Sequence, residues 1–327
     1  MIYNCSVRDY YKCVLYAVIR FLGGVMSDIT NVIHSIQPPS AWPPVTRRVR
    51  RYRNIVIKTS CNLRCSYCEV KRAKVNTEAV INSITRIMER FNPSDTLFRV
   101  EADGEITLYP KILDFLAESV KKGYFIEVLT NGTRFPACLR PDLLWVISVD
   151  GHTEQMNKAR GLKQKQIDII LDHAVNLSAE LQCVYHGQSV EEINEFIDTL
   201  QARNFSGRLH FLPLLATKGR PLTVHLNYEQ LHKAPFLERK AFFDRWDHIY
   251  QHGRRGDFIC DQIRNGFNYY IEGENISMVK CDCYSPVPSH LEIEGLQDER
   301  EYNNFPCGTC LSHQEFNNQR DRMALYD

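Results

Sequence analysis

Short strand-like runs alternate with amphipathic helices through the middle of this chain, and this alternation limits the fold more than any other feature. The sequence predicts six strands, at residues 54–58, 97–102, 125–129, 145–149, 181–185 and 208–212. It predicts four helices between them, at 77–90, 111–122, 164–176 and 190–202. Such an order is typical of βαβ units and a parallel sheet. We therefore expect an α/β fold, a partial (β/α)6 barrel with loops gathered at the carboxyl ends of the strands.

The length of 327 residues is compatible with two domains. We expect residues 54–225 to form the partial barrel, and 226–327 to form a helical segment, from Tyr228 to His252, followed by a small cysteine-containing domain. We expect residues 1–53 to form an N-terminal extension with an amphipathic helix, a proline-rich linker and an arginine cluster. The apolar run is shorter than the ~18 residues of a membrane span. The sequence therefore predicts no transmembrane segment, although an interfacial helix or a translation start at Met26 remains open.

Composition narrows the partners and the kind of metal chemistry. The formal net charge is +1, so charge gives no reason to expect a nucleic acid partner. Twelve cysteines are many for this length, and no cleavable signal precedes them. Clustered cysteines in a cytosolic chain more often bind metal than form disulfides. We expect a cytoplasmic protein that binds metal through thiolates.

Three cysteines follow the first predicted strand within eight residues. They are Cys61, Cys65 and Cys68, in the spacing CxxxCxxC. Three thiolates on one loop can hold three irons of a [4Fe–4S] cluster, and the fourth iron then stays open for another ligand. The alternative is structural zinc, which needs a fourth ligand from elsewhere in the chain.

The CxxxCxxC loop after a first strand resembles that of the radical SAM superfamily. The resemblance implies that the open iron binds the amino and carboxylate groups of S-adenosylmethionine (SAM). It also implies that the reduced cluster cleaves SAM to a 5′-deoxyadenosyl radical, which abstracts a hydrogen atom from a substrate. An electron donor such as flavodoxin or ferredoxin would supply the electron.

Residues at the later strand ends resemble the same family in the same order, over about residues 54–215. The resemblance implies that Asp103-Gly104-Glu105 binds the SAM amino group, although Asp103 stands where a glycine is usual. It places Asn131 near the ribose, and Ser148 and Arg160 on the SAM carboxylate and ribose. Further positions implied to contact the cofactor are Tyr67, Asp150 and Leu212.

A second group of cysteines lies near the end of the chain. A predicted hairpin separates Cys260 from Cys281 and Cys283, and a CxxC pair, Cys307 and Cys310, follows. This layout resembles the twitch module, the short relative of the SPASM domain, and implies an auxiliary [4Fe–4S] cluster. Either Cys281 or Cys283 could be its ligand. A zinc ribbon is the alternative.

Three functions remain open at this stage. The first is modification or maturation of a peptide by a radical SAM enzyme. The second is oxidation of a small molecule of the aminocyclitol class by a radical SAM dehydrogenase. The third is a non-catalytic zinc-binding interaction protein. Cys183, on the fifth predicted strand, is a speculative hydrogen-atom donor if its side chain faces the barrel lumen, and otherwise a buried apolar cysteine.

Overall fold

Six parallel strands, arranged in sequence order, form the body of the protein. The structure is a computed structural model that describes residues 51–68, 73–135, 142–213, 226–238, 268–279 and 292–295. The strands are β1 (Arg51–Ile57), β2 (Thr96–Ala102), β3 (Phe125–Thr130), β4 (Leu144–Ser148), β5 (Glu180–Tyr185) and β6 (Arg208–Pro213). The helices are α1 (Thr77–Met88), α2 (Pro110–Lys121), α3 (Gln164–Leu177) and α4 (Val190–Ala202). The predicted partial barrel is confirmed, and β1 begins three residues earlier than Asn54, where the sequence predicted its start.

Three more strands extend this sheet beyond β1. They are β7 (Asn268–Glu272), β8 (Asn275–Val279) and β9 (Glu292–Glu294). The strand order is therefore β6-β5-β4-β3-β2-β1-β7-β8-β9, with β7 parallel to β1 and antiparallel to β8. Gly273 turns the predicted hairpin at a positive φ of 64°. The hairpin thus continues the barrel sheet, while the division of the chain at residue 226 remains a prediction.

The two faces of the parallel sheet differ in chemistry because side chains alternate along each strand. One face, the apolar face, packs on the helices and holds residues such as Phe98, Val128, Ile147 and Leu181. The opposite face, the polar face, carries a set of charged and hydrogen-bonding side chains, namely Asn54, Arg99, Glu101, Glu127, Glu180, Gln182 and His210. In a barrel that curls around its own face, this polar face becomes the lumen.

Side-chain caps mark the starts of α1 and α4, whereas α2 begins with a proline at its first position. Asn76 accepts a hydrogen bond from Ala79 N at the start of α1. Ser189 and Glu192 form a reciprocal capping box at the start of α4. Each helix then buries one stripe, for example Ile193, Phe196 and Leu200 of α4. The caps and the buried apolar stripes together explain why the helix bounds predicted from sequence are close to those in the structure.

The predicted helix from Tyr228 to His252 is wrong in its first part. Tyr228–Gln230 makes a single 3₁₀ turn, and residues 231–238 are not helical. Pro235 lacks an amide donor and disfavours helix in the residue before it. Leu237 instead forms a parallel bridge to Leu209 of β6. The segment therefore continues the sheet edge, and residues 239–252 lie outside the described residues.

Other predictions also fall on chain that the structure does not describe. They are the N-terminal extension up to residue 50 and the second cysteine group, Cys260, Cys281, Cys283, Cys307 and Cys310. Within the described residues, no helix has the length and apolar character needed to cross a membrane.

Candidate active site

The cysteine loop lies directly after β1, at the carboxyl end of the sheet. Cys61 and Cys65 are half-buried, Cys68 is exposed, and all three are free thiols. The Cys68 amide donates a hydrogen bond to the Cys65 carbonyl at 3.1 Å, which closes a turn between them. Burial raises the pKa of Cys65, the charge of Arg160 opposes this rise, and Cys68 and Cys61 add to it. The loop therefore gathers its thiols near one guanidinium.

The spacing of the thiols bears on the kind of metal that they can hold. Among the described residues, no group of three His, Cys, Asp or Glu side chains converges as the ligands of a single ion would. A [4Fe–4S] cluster does not require such convergence, because each thiolate binds a different iron. Three free thiols on one loop are therefore compatible with a cluster in which each thiolate binds a different iron.

The end of β2 is bonded tightly to the chain that leads into the cysteine loop. The Gly104 amide donates to Thr59 Oγ1 at 3.1 Å, and the Glu105 amide donates to the Ser60 carbonyl at 2.9 Å. A Cβ built on Gly104 would overlap the Ser60 carbonyl. Only glycine fits this close approach, so the match to the family at Gly104 has a physical basis here.

Substitution Gly104→Ala is expected to displace the segment that carries Cys61, because the backbone carbonyl of Ser60 cannot turn away as a side chain would. We expect a loss of about 1–3 kcal/mol in stability and a lower iron content after reconstitution. Gly123→Ala is the matched control, because Gly123 has a positive φ of 98° but its Cβ would meet no atom within 4 Å. Thermal unfolding and iron analysis measure both effects. Equal iron content in the two variants would contradict the prediction.

Glu105 is a structural anchor between β2 and β3 rather than a freely accessible carboxylate. It is 1% exposed. Its Oε1 accepts hydrogen bonds from Thr107 N, Thr107 Oγ1 and Thr130 Oγ1, and its Oε2 accepts one from Asn131 N at 2.7 Å. Burial raises the pKa of Glu105 despite these donors. Only Oε2 keeps capacity for a further donor, such as an amino group of a ligand.

Asn131 reaches the cysteine loop from the end of β3. Its Nδ2 donates to Asn62 Oδ1 at 3.0 Å and lies 3.8 Å from Cys61 Sγ, which also accepts from Leu63 N at 3.4 Å. Its Oδ1 accepts from Thr133. The structure therefore brings Asn131 beside the first cysteine, where it contacts a thiol rather than standing apart as a simple turn residue.

Asp150 gathers three of the predicted site residues after β4. Its Oδ1 lies 2.8 Å from Arg160 Nε, and its Oδ2 accepts a hydrogen bond from the Tyr67 hydroxyl at 3.0 Å. The Arg160 guanidinium lies over the Tyr67 ring, 5.7 Å from its centroid. This ion pair uses Nε, which leaves the two Nη groups of the guanidinium for a bound anion such as a carboxylate.

Electrostatics at this group follow from its burial. The Asp150 side chain is 0% exposed and that of Arg160 is 7% exposed. Burial by itself raises the pKa of Asp150, but the charge of Arg160 and hydrogen bonds from His186 and Arg160 outweigh it, so the pKa lies below its usual value. Burial, the largest single influence, lowers the pKa of Arg160, but Asp150, Tyr67 and Cys65 together raise it above its ordinary value. The two groups therefore remain a charged pair.

The remaining predicted residues stand at the same end of the sheet. Ser148, half-buried, ends β4 and is in register with Gln182 of β5. Leu212 on β6 is partly buried and in register with Val184. His186 follows β5 with its Nε2 3.7 Å from Asp150 Oδ2, and the nearby Asp150 carboxylate raises the pKa of His186.

Cys183 lies on the apolar face of the sheet and not on the lumenal face, where a hydrogen-atom donor would have to lie. Cys183 is 0% exposed and belongs to the apolar core cluster with its strand neighbours Leu181 and Tyr185. The next residue back, Gln182, points to the polar face, where it accepts from Arg99. Alternation thus puts Cys183 on the apolar face. This position favours the interpretation of Cys183 as a buried apolar cysteine.

Sequence reasoning missed two buried amides that hold Asp150 in place. Asn157 Oδ1 accepts from Asp150 N at 2.9 Å, and Asn157 Nδ2 donates to the carbonyl of Gly151 at 2.9 Å. Gln188 Nε2 donates to the Asp150 carbonyl at 3.1 Å. A polar residue within a loop of mixed composition gives no signal of burial, so only the fold reveals these contacts.

Below the mouth, the polar face forms one connected network. Arg99 lies 3.3 Å from Glu127 and 3.5 Å from Glu101, and it donates to Gln182 at 3.0 Å. Gln182 in turn donates to Glu180, which lies 3.3 Å from His210 Nε2. Among the described residues, this network contains the three carboxylates Glu101, Glu127 and Glu180 and the one guanidinium of Arg99.

Comparison with known proteins gives one extensive match. The chain is 60% identical over 286 residues to neomycin C epimerase of Streptomyces fradiae, covering 87% of this chain and 95% of that protein. A search with family models finds no match. A UPF0026 protein of Helicobacter pylori is 32% identical over 113 residues, which cover 30% of this chain and 36% of that protein.

Solved structures share the fold at low sequence identity. Streptococcus suis SuiB superposes with a TM-score of 0.51 and 14% identity, covering 71% of this chain and 60% of that one. This chain therefore spans less than two thirds of SuiB. Coproporphyrinogen III oxidase (HemN) of Escherichia coli, described as a radical SAM enzyme, has a TM-score of 0.39 and 11% identity, covering 79% of this chain and 76% of that one. At such identities the SuiB likeness extends to the fold alone.

Proposed function

Because this chain belongs to the radical SAM superfamily, we propose that it inverts the configuration of one carbon atom of an aminoglycoside. The observation that carries this proposal is the 60% identity to neomycin C epimerase over 95% of that protein. Of the functions considered from sequence, this one is nearest to the small-molecule, aminocyclitol-like alternative. The proposed epimerisation differs from the dehydrogenation considered from sequence, because an epimerisation leaves the oxidation state of the substrate unchanged and a dehydrogenation does not.

The enzyme uses a [4Fe–4S] cluster and SAM, and the residues at the barrel mouth suit both. Cys61, Cys65 and Cys68 would hold the cluster. When bound and reduced, the cluster supplies the electron that cleaves SAM and so provides the radical that abstracts a hydrogen atom. In our proposal the Arg160 Nη groups bind the SAM carboxylate, and Glu105 Oε2 accepts from the SAM amino group. Both side chains are nearly fully buried, which strengthens these contacts by excluding water.

Charge on the polar face supports a substrate that carries ammonium groups. Glu101 lies on the polar face of β2, and Asp103, the first residue after that strand, is close enough to feel its charge. Burial raises the pKa of Asp103, Glu101 raises it further, and Lys58 opposes both. A bound ammonium group would relieve this repulsion between carboxylates. An aminoglycoside, which carries several ammonium groups, matches that requirement better than a neutral sugar.

Peptide modification, the function favoured from sequence, receives less support. It rested on the twitch-like cysteine layout, and those cysteines lie outside the described residues. The zinc-binding interaction protein, which leaves the Ser148 to Arg160 pattern without a role, is not compatible with membership of an enzyme superfamily.

Anaerobic turnover with neomycin C tests the proposal. The reconstituted protein is incubated with SAM, dithionite and neomycin C, and the products are analysed by mass spectrometry and NMR. We expect 5′-deoxyadenosine, which carries the hydrogen atom removed from the substrate, together with a product of unchanged mass and inverted configuration at one carbon. The mass is unchanged because the substrate radical takes a hydrogen atom on its opposite face from a donor group of the protein, which an electron from dithionite and a proton from solvent then restore. A product lighter by two hydrogen atoms would instead establish a dehydrogenase. Formation of 5′-deoxyadenosine without any change in the aminoglycoside would overturn the proposed substrate class.

The second cysteine group provides a further prediction. In our proposal, four of Cys260, Cys281, Cys283, Cys307 and Cys310 bind an auxiliary [4Fe–4S] cluster, whose four thiolates leave no open iron. Such a cluster would transfer electrons and would not bind SAM. Cys307→Ala is therefore expected to preserve SAM cleavage but to reduce product formation, with iron content falling from about eight to about four per chain. Product formation equal to that of the unaltered protein would refute the auxiliary role.

The electron donor is also a proposal. A small redox protein such as flavodoxin or ferredoxin would replace dithionite in the cell. Comparing SAM cleavage with either protein and with dithionite would identify a competent donor.

A further inference from the structure

Asp150 has both carboxylate oxygens engaged by the protein itself. Oδ1 pairs with Arg160 Nε at 2.8 Å and accepts from Val184 N at 3.2 Å. Oδ2 accepts from the Tyr67 hydroxyl at 3.0 Å and lies 3.7 Å from His186 Nε2. The residue is 0% exposed. Each oxygen of Asp150 thus faces two donor groups of the protein, whereas Glu105 Oε2 accepts from one. Asp150 therefore keeps no acceptor position for a cofactor, although sequence resemblance places it among the cofactor-binding residues.

The groups that Asp150 contacts come from three separate parts of the site. Tyr67 lies inside the cysteine loop, between Cys65 and Cys68. Arg160 lies in a 3₁₀ turn after β4, and Val184 lies in β5. A second contact joins the first two parts, since Ser66 N donates to the Ala159 carbonyl at 2.7 Å. The cysteine loop and the arginine turn are thus held together by one backbone bond and by the Asp150 carboxylate.

We propose that Asp150 is a positioning residue, which does not bind SAM but fixes the Arg160 guanidinium relative to the cysteine loop. The ion pair, with Nε 2.8 Å from Oδ1, holds the guanidinium against the carboxylate, and the two Nη groups remain for a bound anion. The Tyr67 hydroxyl bond places the ring beneath that guanidinium, where the ring and the cation attract each other. The distance between the anion-binding nitrogens and the cluster ligands is therefore set by one buried carboxylate.

This assignment rests on the superfamily chemistry and is independent of the aminoglycoside substrate. It differs from a general structural role because it predicts that Asp150 acts on SAM only through Arg160. Loss of the carboxylate would leave the guanidinium free to rotate and would cost SAM affinity. In a protein that lacks Arg160, the loss of Asp150 would therefore cause no further decrease in SAM affinity. Residues that act through one another are non-additive in this way.

A double-mutant cycle on the reconstituted full-length protein measures this coupling. The four proteins are the unaltered chain, Asp150→Asn, Arg160→Gln and the double variant. The dissociation constant of SAM is measured by equilibrium dialysis, and EPR of the reduced cluster with and without SAM reports cofactor binding at the iron. We expect Asp150→Asn to weaken SAM binding about tenfold in the unaltered background and less than about twofold in the Arg160→Gln background. No substrate is present, so failure of the substrate proposal would not alter the result.

Two outcomes would overturn the proposal. Equal weakening in both backgrounds would mean that Asp150 contacts SAM directly, and an unchanged dissociation constant in Asp150→Asn would mean that Arg160 needs no positioning. If Asp150→Asn fails to retain iron, Tyr67→Phe takes its place in the cycle with Arg160→Gln. This substitution removes one hydrogen-bond donor to Asp150 but keeps the aromatic ring and every charge. A weaker SAM affinity for Tyr67→Phe that disappears in the Arg160→Gln background supports the proposal, and any other result for that pair rejects it.

Discussion

Cys65→Ala is expected to abolish SAM cleavage completely. Cys65 is the middle cysteine of the loop, and its carbonyl accepts a hydrogen bond from the amide of Cys68. In the proposed cluster its loss removes one of the three iron ligands. A cluster with two remaining thiolates from this loop would lack a ligand on two irons instead of one. Anaerobic reconstitution should give less iron than the unaltered protein, and reduced samples should yield no 5′-deoxyadenosine.

Cys183→Ala is the matched control for this experiment. It also replaces a free cysteine by alanine, but Cys183 lies in the apolar core on the opposite face of the sheet. We expect unchanged iron content, unchanged SAM cleavage and unchanged product formation, with only a modest loss of stability from the small cavity. SAM cleavage that survives in Cys65→Ala would remove the basis for the cluster assignment. A loss of product in Cys183→Ala alone would restore the hydrogen-donor hypothesis.

Much of the fold was predictable because local and tertiary signals agree in this part of the chain. Buried parallel strands are short apolar runs, and the helices that cover them carry caps such as Asn76 and Ser189 at their first residues. The segment after Tyr228 was not predictable in the same way. Its helix-like spacing is overridden by Pro235 and by the edge of β6, and an unpaired sheet edge cannot be recognised from local sequence.

The site was predictable as a set of residues but not as a set of contacts. The resemblance identified Tyr67, Asp150 and Arg160 separately, whereas the structure joins them through a single carboxylate. These residues are up to 93 positions apart, from Tyr67 to Arg160, and spacing along the chain carries no information on which of them touch. The orientation of Cys183, in contrast, was available from sequence. Polar Glu180 and Gln182 alternate with Leu181 and Cys183, and this places the thiol on the apolar face.

Arg160→Gln is expected to cause the largest loss of stability. The substitution leaves the Asp150 charge buried without its ion partner, and removal of one member of a buried pair costs about 3–5 kcal/mol. In the unaltered protein the pKa of Asp150 is lowered, so its pairing stabilises the fold above the unfolded-state pKa. That contribution is lost only as pH falls through the lower, folded-state pKa. In the variant the sign reverses, because burial, the largest influence on this carboxyl, now raises the pKa without the Arg160 charge, and of the charged groups that oppose burial in the unaltered protein only the imidazole of His186 remains.

The pH dependence of unfolding distinguishes this mechanism from simple loss of packing. Because the pKa of Asp150 in Arg160→Gln is raised, the folded variant binds a proton more readily than the unfolded chain as pH falls. The difference in free energy of unfolding between the variant and the unaltered protein should therefore be largest at neutral pH and shrink toward acidic pH. The double variant with Asp150→Asn removes both charges and should recover part of the loss at neutral pH, since replacing a buried pair is far less costly than breaking it. Denaturant unfolding of the three proteins across this pH range measures each difference. A deficit that is independent of pH, or a double variant less stable than Arg160→Gln, would show that the charge of Asp150 is not what the arginine stabilises.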